Sequence, residues 1–123
     1  MGRPFSAILL AAGLMAPGPA QAETRLLMFE QSGCHWCARW HEEIGPIYPK
    51  TREGAAAPLE RVNIRGPFPE GLDLASPPQF TPTFVLVEDG EERGRIEGYP
   101  GEDFFWGLLA RMIAEDTAGV PDG

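Results

Sequence analysis

Arg25-Leu26-Leu27-Met28-Phe29-Glu30-Gln31-Ser32-Gly33-Cys34-His35-Trp36-Cys37 is the stretch on which the fold turns. Its first six residues form a mostly apolar run that stops at Ser32-Gly33, the pattern of a largely buried strand. From Cys34 onward the period changes. Trp36, Trp40 and Ile44 recur every four residues with Cys37 and His41 beside them, which is a helical face. Ser32 or Gly33 is placed to cap this helix, and Gly45-Pro46 to end or kink it. A strand therefore passes through a short turn into a helix, and the two cysteines sit where that helix begins.

Downstream, residues 54–58 read as a connection and Leu59 to Ile64 alternates as a second strand. Arg65 to Pro82 holds prolines 67, 69, 77, 78 and 82, leaving room for one or two helical turns in an ordered loop. Thr83 to Val87 is the strongest strand signal, Asp89-Gly90 a hairpin turn, and Arg93 to Tyr99 the returning strand. Pro100-Gly101 then breaks the chain before a last helix, with Glu102 and Asp103 where a helix start favours negative charge. Phe104, Phe105, Leu108, Leu109, Met112 and Ile113 make one stripe expected to pack on the sheet, and Phe80, Phe84 and Tyr99 are expected in the core. Trp40 fits core or shoulder packing, while Arg39, Glu42 and Glu43 fit a solvated face; Val120 to Gly123 is expected to fray. A helix between the first two strands implies a right-handed parallel βαβ unit. The hairpin adds an antiparallel pair, so the fold class is α/β, a central mixed sheet of about four strands flanked by helices.

The chain has 123 residues, enough for one compact domain, and a net charge of −8. That acidity speaks against a nucleic-acid or anionic-membrane binder, which needs a basic face. Residues 1–22 read as an address: Arg3, an apolar run from Phe5 to Ala16 too short to span a bilayer, Pro17-Gly18-Pro19, then Ala20-Gln21-Ala22. Cleavage after Ala22 would leave residues 23–123 as the working domain, exported to the periplasm, without stable membrane insertion and monomeric. Disulfides persist in such a compartment.

Two cysteines at a helix start lie close enough to bond to each other. Cys34 also faces the positive end of the helix dipole and unpaired N–H groups, which favour its thiolate. A protonated His35 would act in the same direction. Cys37, one turn inside the helix, is suited to resolving a mixed disulfide, and the chemistry is two-electron thiol–disulfide exchange. Trp36, in the turn between the cysteines, is a candidate for substrate contact or shielding. Haem attachment is excluded, because Ala38 stands where a histidine must follow the second cysteine. A metal site or metal chaperone drawn from Cys34, Cys37 and His41, with His35 nearby, is the alternative, although ligands from so short a helical segment rarely close a tetrahedron. An inert disulfide is a third reading, but so short a loop gains little stability from it.

Ser32 to Cys37 between strand and helix, followed by Thr81-Pro82-Thr83-Phe84 opening a strand, resembles the thioredoxin superfamily over residues 24–116. Within it, the exported acidic domain is similar to the small periplasmic thioredoxins, including those that accompany bacterial thiosulfate oxidation. The resemblance implies that Cys34 attacks and Cys37 resolves, that Pro82 is a cis-proline facing them, and that Thr81 offers its backbone to an extended substrate segment. It implies a protein thiol or disulfide as substrate, an upstream electron donor such as a membrane thiol reductase, and no cofactor beyond the Cys34–Cys37 disulfide. The role would be that of a reductant maintaining a partner cysteine. Met28 departs from the pattern, since many thioredoxins carry a buried proton-accepting acid there. Glu30, two residues on, and His41, one turn beyond Cys37, are the candidates for that proton. Gly98 is placed to let a partner backbone approach, or simply to end the strand.

Overall fold

A computed structural model describes residues 2–4, 13 and 23–118. The expected leader, residues 1–22, lies almost wholly outside the described residues, as does the tail Val120 to Gly123. Among the described residues no helix is long and apolar enough to cross a membrane.

The sheet has four strands in the order β2-β1-β3-β4, formed by Thr24–Glu30 (β1), Leu59–Asn63 (β2), Thr83–Glu88 (β3) and Glu91–Glu97 (β4). β1 pairs parallel with β2 and antiparallel with β3, and β3 pairs antiparallel with β4, so the mixed α/β sheet is as the sequence implies. Leu26 to Phe29 are all fully buried because both faces of β1 are covered. Leu26 and Met28 face a cluster that includes Cys37 and Trp40 of helix α1 (His35–Glu43), Ile44 just past its end, and Phe105 and Leu109 of helix α3 (Glu102–Ala118). Leu27 and Phe29 face Val62, Val85 and Val87 on the other side. Ile64, just past the end of β2, and the proline-rich segment, through Leu72 and Leu74, cover that side without forming a helix. Its prolines remove the donors a helix needs, and Asp73 pairs with Glu91 at the edge of β4 instead.

Trp40 is the centre of the core. It has no exposed surface, and its ring lies 5.4 Å from Phe84, 5.8 Å from Phe105 and 5.9 Å from Tyr48. Aromatic pairs at such distances add to what burial alone contributes.

Several elements differ from their sequence expectation. The supposed connection contains helix α2, Arg52–Ala56, started by Thr51, whose hydroxyl accepts from Gly54 N–H at 3.0 Å. β4 begins at Glu91, directly after the two-residue turn of Asp89 and Gly90, both with positive φ, and ends before Tyr99. The α3 stripe is narrower than six residues. Phe105 and Leu109 are buried and Met112 and Ile113 partly so, but Phe104 is 71% exposed and Leu108 is exposed as well. A helix lying on one sheet buries a single seam of i, i+4 positions, and those two residues fall outside it.

Candidate active site

Cys34 itself caps α1, in place of Ser32 or Gly33. Its backbone is extended (φ −77°, ψ 104°), and its Sγ accepts from the Cys37 N–H at 3.1 Å. Gly33, at φ +78°, supplies the left-handed step that turns the chain from strand to helix. Cys34 and Cys37 are joined as a disulfide with Cα atoms 5.2 Å apart. The two sulfurs are not equivalent, for Cys34 is half-buried whereas Cys37 is 3% exposed within the core cluster.

The second half of the site is the loop that enters β3. The Thr81-Pro82 peptide bond is cis, and the Pro82 carbonyl accepts from Gly98 N–H at 2.7 Å. The Thr83 hydroxyl donates to the Phe80 carbonyl at 2.7 Å. β1 and β3 pair as far as Phe29 and Thr83, which brings Gln31 beside Thr81, and the Gln31 side-chain amide donates to Thr81 Oγ1 at 3.0 Å. Phe80, expected in the core, is 60% exposed: it lies in the loop before the strand, where no sheet face covers it. Phe84 and Tyr99 are buried as expected. Gly98 is at φ +85°, and a Cβ there would meet nothing within 4 Å, so its backbone conformation alone explains the glycine.

Glu30 and His41, offered by the sequence as separate candidates, form one unit. His41 Nε2 lies 3.0 Å from Glu30 Oε1, and Arg61 grips the same carboxylate through Nε at 2.5 Å and Nη2 at 3.1 Å. Burial opposes ionisation of Glu30, but the Arg61 and His41 hydrogen bonds outweigh it and hold the carboxyl below the usual carboxylate range. The same carboxylate raises the Arg61 pKa further. Arg61 escaped the sequence reading because the contact is made across the β1–β2 pairing, where Arg61 stands opposite Met28. An open depression of about 490 Å³ joins this unit to the disulfide, lined by Glu30, His41 and Arg61 together with Cys34, Cys37 and Gln31.

Trp36 is half exposed, with the His35 ring 5.4 Å away edge-on and the Arg39 guanidinium 5.7 Å above its face. Arg39 also pairs with Glu43 at 2.7 Å on the solvated side of α1. Cys34, Cys37 and His41 are not gathered as metal ligands. The sulfurs are bonded to each other, His41 Nε2 is turned to Glu30, and among the described residues no three His, Cys, Asp or Glu side chains converge on one point.

The thioredoxin-like domain family matches residues 18–113, and the chain belongs to that family. It is a thiol–disulfide oxidoreductase, with the Cys34–Cys37 pair at the helix start of the thioredoxin-like fold. It is similar to the periplasmic thioredoxin SoxS from Paracoccus pantotrophus, whose crystal structure in the reduced form shares 62% sequence identity and a TM-score of 0.75. That similarity covers 76% of this chain and 99% of the Paracoccus protein. No curated protein gives a significant match.

Proposed function

We propose that the chain is an exported periplasmic reductant that keeps a partner protein's cysteine in its working state. The observation that carries the exchange chemistry is the unequal burial of the two sulfurs, Cys34 open to a partner and Cys37 behind it; the reductant direction is what the resemblance implies. In the reduced protein the Cys34 thiolate attacks one sulfur of the partner disulfide, which releases the other partner sulfur as a thiolate and forms a mixed disulfide. Cys37, deprotonated, then attacks Cys34 Sγ. The mixed disulfide breaks, the Cys34–Cys37 disulfide forms, and the second partner sulfur leaves as a thiolate, which takes back the proton that Cys37 gave up. Two electrons pass to the partner, and an upstream dithiol donor, such as a membrane thiol reductase, restores the pair.

The capping position supports the attacking role, since the helix-start N–H groups and dipole stabilise negative charge on Cys34. His35 and Trp36 tune that sulfur and flank the approach to it. Thr81 and Pro82 receive the partner segment. The Glu30–His41 unit takes the proton from Cys37, His41 as base and Glu30 as its orienting carboxylate. Export rests on the leader-like residues 1–22 and on the similarity to a periplasmic thioredoxin. A partner in a sulfur-oxidising complex is what the resemblance of residues 24–116 to the small periplasmic thioredoxins of thiosulfate oxidation implies.

Cys37→Ser protein, incubated with oxidised periplasmic extract, is expected to hold partners covalently through Cys34; capture of nothing sinks the reading. Equilibration with glutathione is expected to give a reduction potential nearer to about −270 mV than to about −120 mV, the reductant end of the family scale. One tightly held zinc or copper ion per reduced chain would instead favour the metal-binding alternative.

A further inference from the structure

Gln31 bonds to both halves of the site. Its main-chain carbonyl accepts from the Cys34 N–H at 3.3 Å, and its side-chain amide donates to Thr81 Oγ1 at 3.0 Å. Among the described residues this is the only hydrogen bond between segment 31–37 and segment 79–82. The other anchors of the proline-rich loop all lead away from the cysteines. Asp73 N–H donates to the Gly90 carbonyl at 2.8 Å and the Asp73 carbonyl accepts from Glu92 N–H at 3.0 Å, Arg95 donates to the Ser76 carbonyl at 2.7 Å, and the Pro82 carbonyl accepts from Gly98 N–H. The β1–β3 ladder ends at Phe29 and Thr83, two residues short of Gln31 and Thr81. Past the end of a ladder, twisted strands are free to splay. The Gln31 side chain carries the pairing one step further, to the point where the nucleophile begins.

We propose that Gln31 is a positioning residue that sets the spacing between Cys34 and the Thr81 main chain, and thereby favours extended protein disulfides over small ones. This rests on the reading above in which Thr81 receives the partner segment. A small disulfide needs only Cys34. A protein segment is held at Cys34 and Thr81 together, so losing their spacing weakens its binding in ground and transition state alike, which raises KM rather than lowering kcat.

The test uses the full chain, turned over by dithiothreitol with insulin as the protein disulfide, and reduced beforehand and freed of reductant for a single turnover with 5,5′-dithiobis(2-nitrobenzoic acid) as the small one. Gln31→Ala is expected to raise KM for insulin roughly three- to tenfold, the scale of one hydrogen bond, with kcat nearly unchanged. Its rate with the small disulfide and the pH profile of Cys34 alkylation should match the native protein. Thr81→Val should reproduce the defect, Thr81→Ser should not, and the double variant should lose no more than either single one. Equal losses on both substrates, a shifted alkylation profile, or additive losses would overturn the proposal. Native protein inert toward both disulfides would instead overturn the reading beneath it, and the proposal with it.

Discussion

Glu30 Oε1 and His41 Nε2 stand 3.0 Å apart, the first at the end of β1 and the second in the last turn of α1. The strand that leads into the site and the helix that leaves it are thus joined by one side-chain contact beside the disulfide, and Arg61 on β2 holds the same carboxylate from the neighbouring strand.

With the Glu30–His41 unit as the proposed base for Cys37, replacing Glu30 by Gln should slow closure of the mixed disulfide roughly 10- to 100-fold, because that base would lose its orienting carboxylate. A stopped-flow measurement of Cys37-dependent release from a preformed mixed disulfide reads this step. The variant also has a stability signature. The native carboxyl has a depressed folded pKa, so its contribution is present above the ordinary value of about 4.3 and is lost as pH falls through the folded one. Urea midpoints of the two proteins should differ at pH 7 and converge on acidification. A constant gap would deny the carboxylate its charge-dependent role.

The two tryptophans of α1 should separate cleanly. Trp40→Ala is expected to cost about 3–5 kcal/mol in denaturant unfolding, because the ring is wholly enclosed among Tyr48, Phe84 and Phe105. Trp36→Ala should change stability by less than about 0.5 kcal/mol while reducing partner capture by the Cys37→Ser protein. Undiminished capture would remove Trp36 from the contact surface.

Gly98→Ala should destabilise by about 1–2 kcal/mol through backbone conformation alone, since the added methyl group has open space. Thermal unfolding checks this, and an unchanged midpoint would mean that the segment re-forms without its positive φ.

At the opposite end of the sheet the Glu88 carboxyl is pushed up by its hydrogen bond to Asp116 and by burial, with Arg93 within 3.5 Å of both acids as partial relief. A carboxyl whose folded value is raised favours the fold when protonated, and that contribution is lost as pH rises through the folded value. Glu88→Gln should therefore raise the melting temperature at pH 8, with the gain shrinking toward pH 4. A variant less stable than native protein at every pH would contradict this.

Local order made the strand–turn–helix around the cysteines legible, because apolar run, breaker and four-residue period each occupy a few neighbouring positions. The Thr-Pro entry to β3 and the Asp89-Gly90 hairpin were legible for the same reason. Arg61 and Gln31 were not, since their partners Glu30 and Thr81 lie on other elements and only the sheet register brings them together. Phe80, Phe104 and Leu108 were misread because hydrophobicity marks a residue as able to be buried without saying that a surface is there to bury it. α2 went unseen because Gly54 and the adjoining alanines resemble a linker, although Thr51 and Ala57 close its ends.

A further consequence follows from Cys34 capping its own helix. The sulfur proposed above as the nucleophile is also a piece of scaffolding, so alanine at this position confounds loss of chemistry with a frayed first turn. Serine, a strong capping residue, removes the nucleophile while keeping the acceptor for the Cys37 N–H. Cys34→Ser is therefore the inactive control whose shape matches the native protein, and the one against which every partner-binding experiment on this chain is best compared.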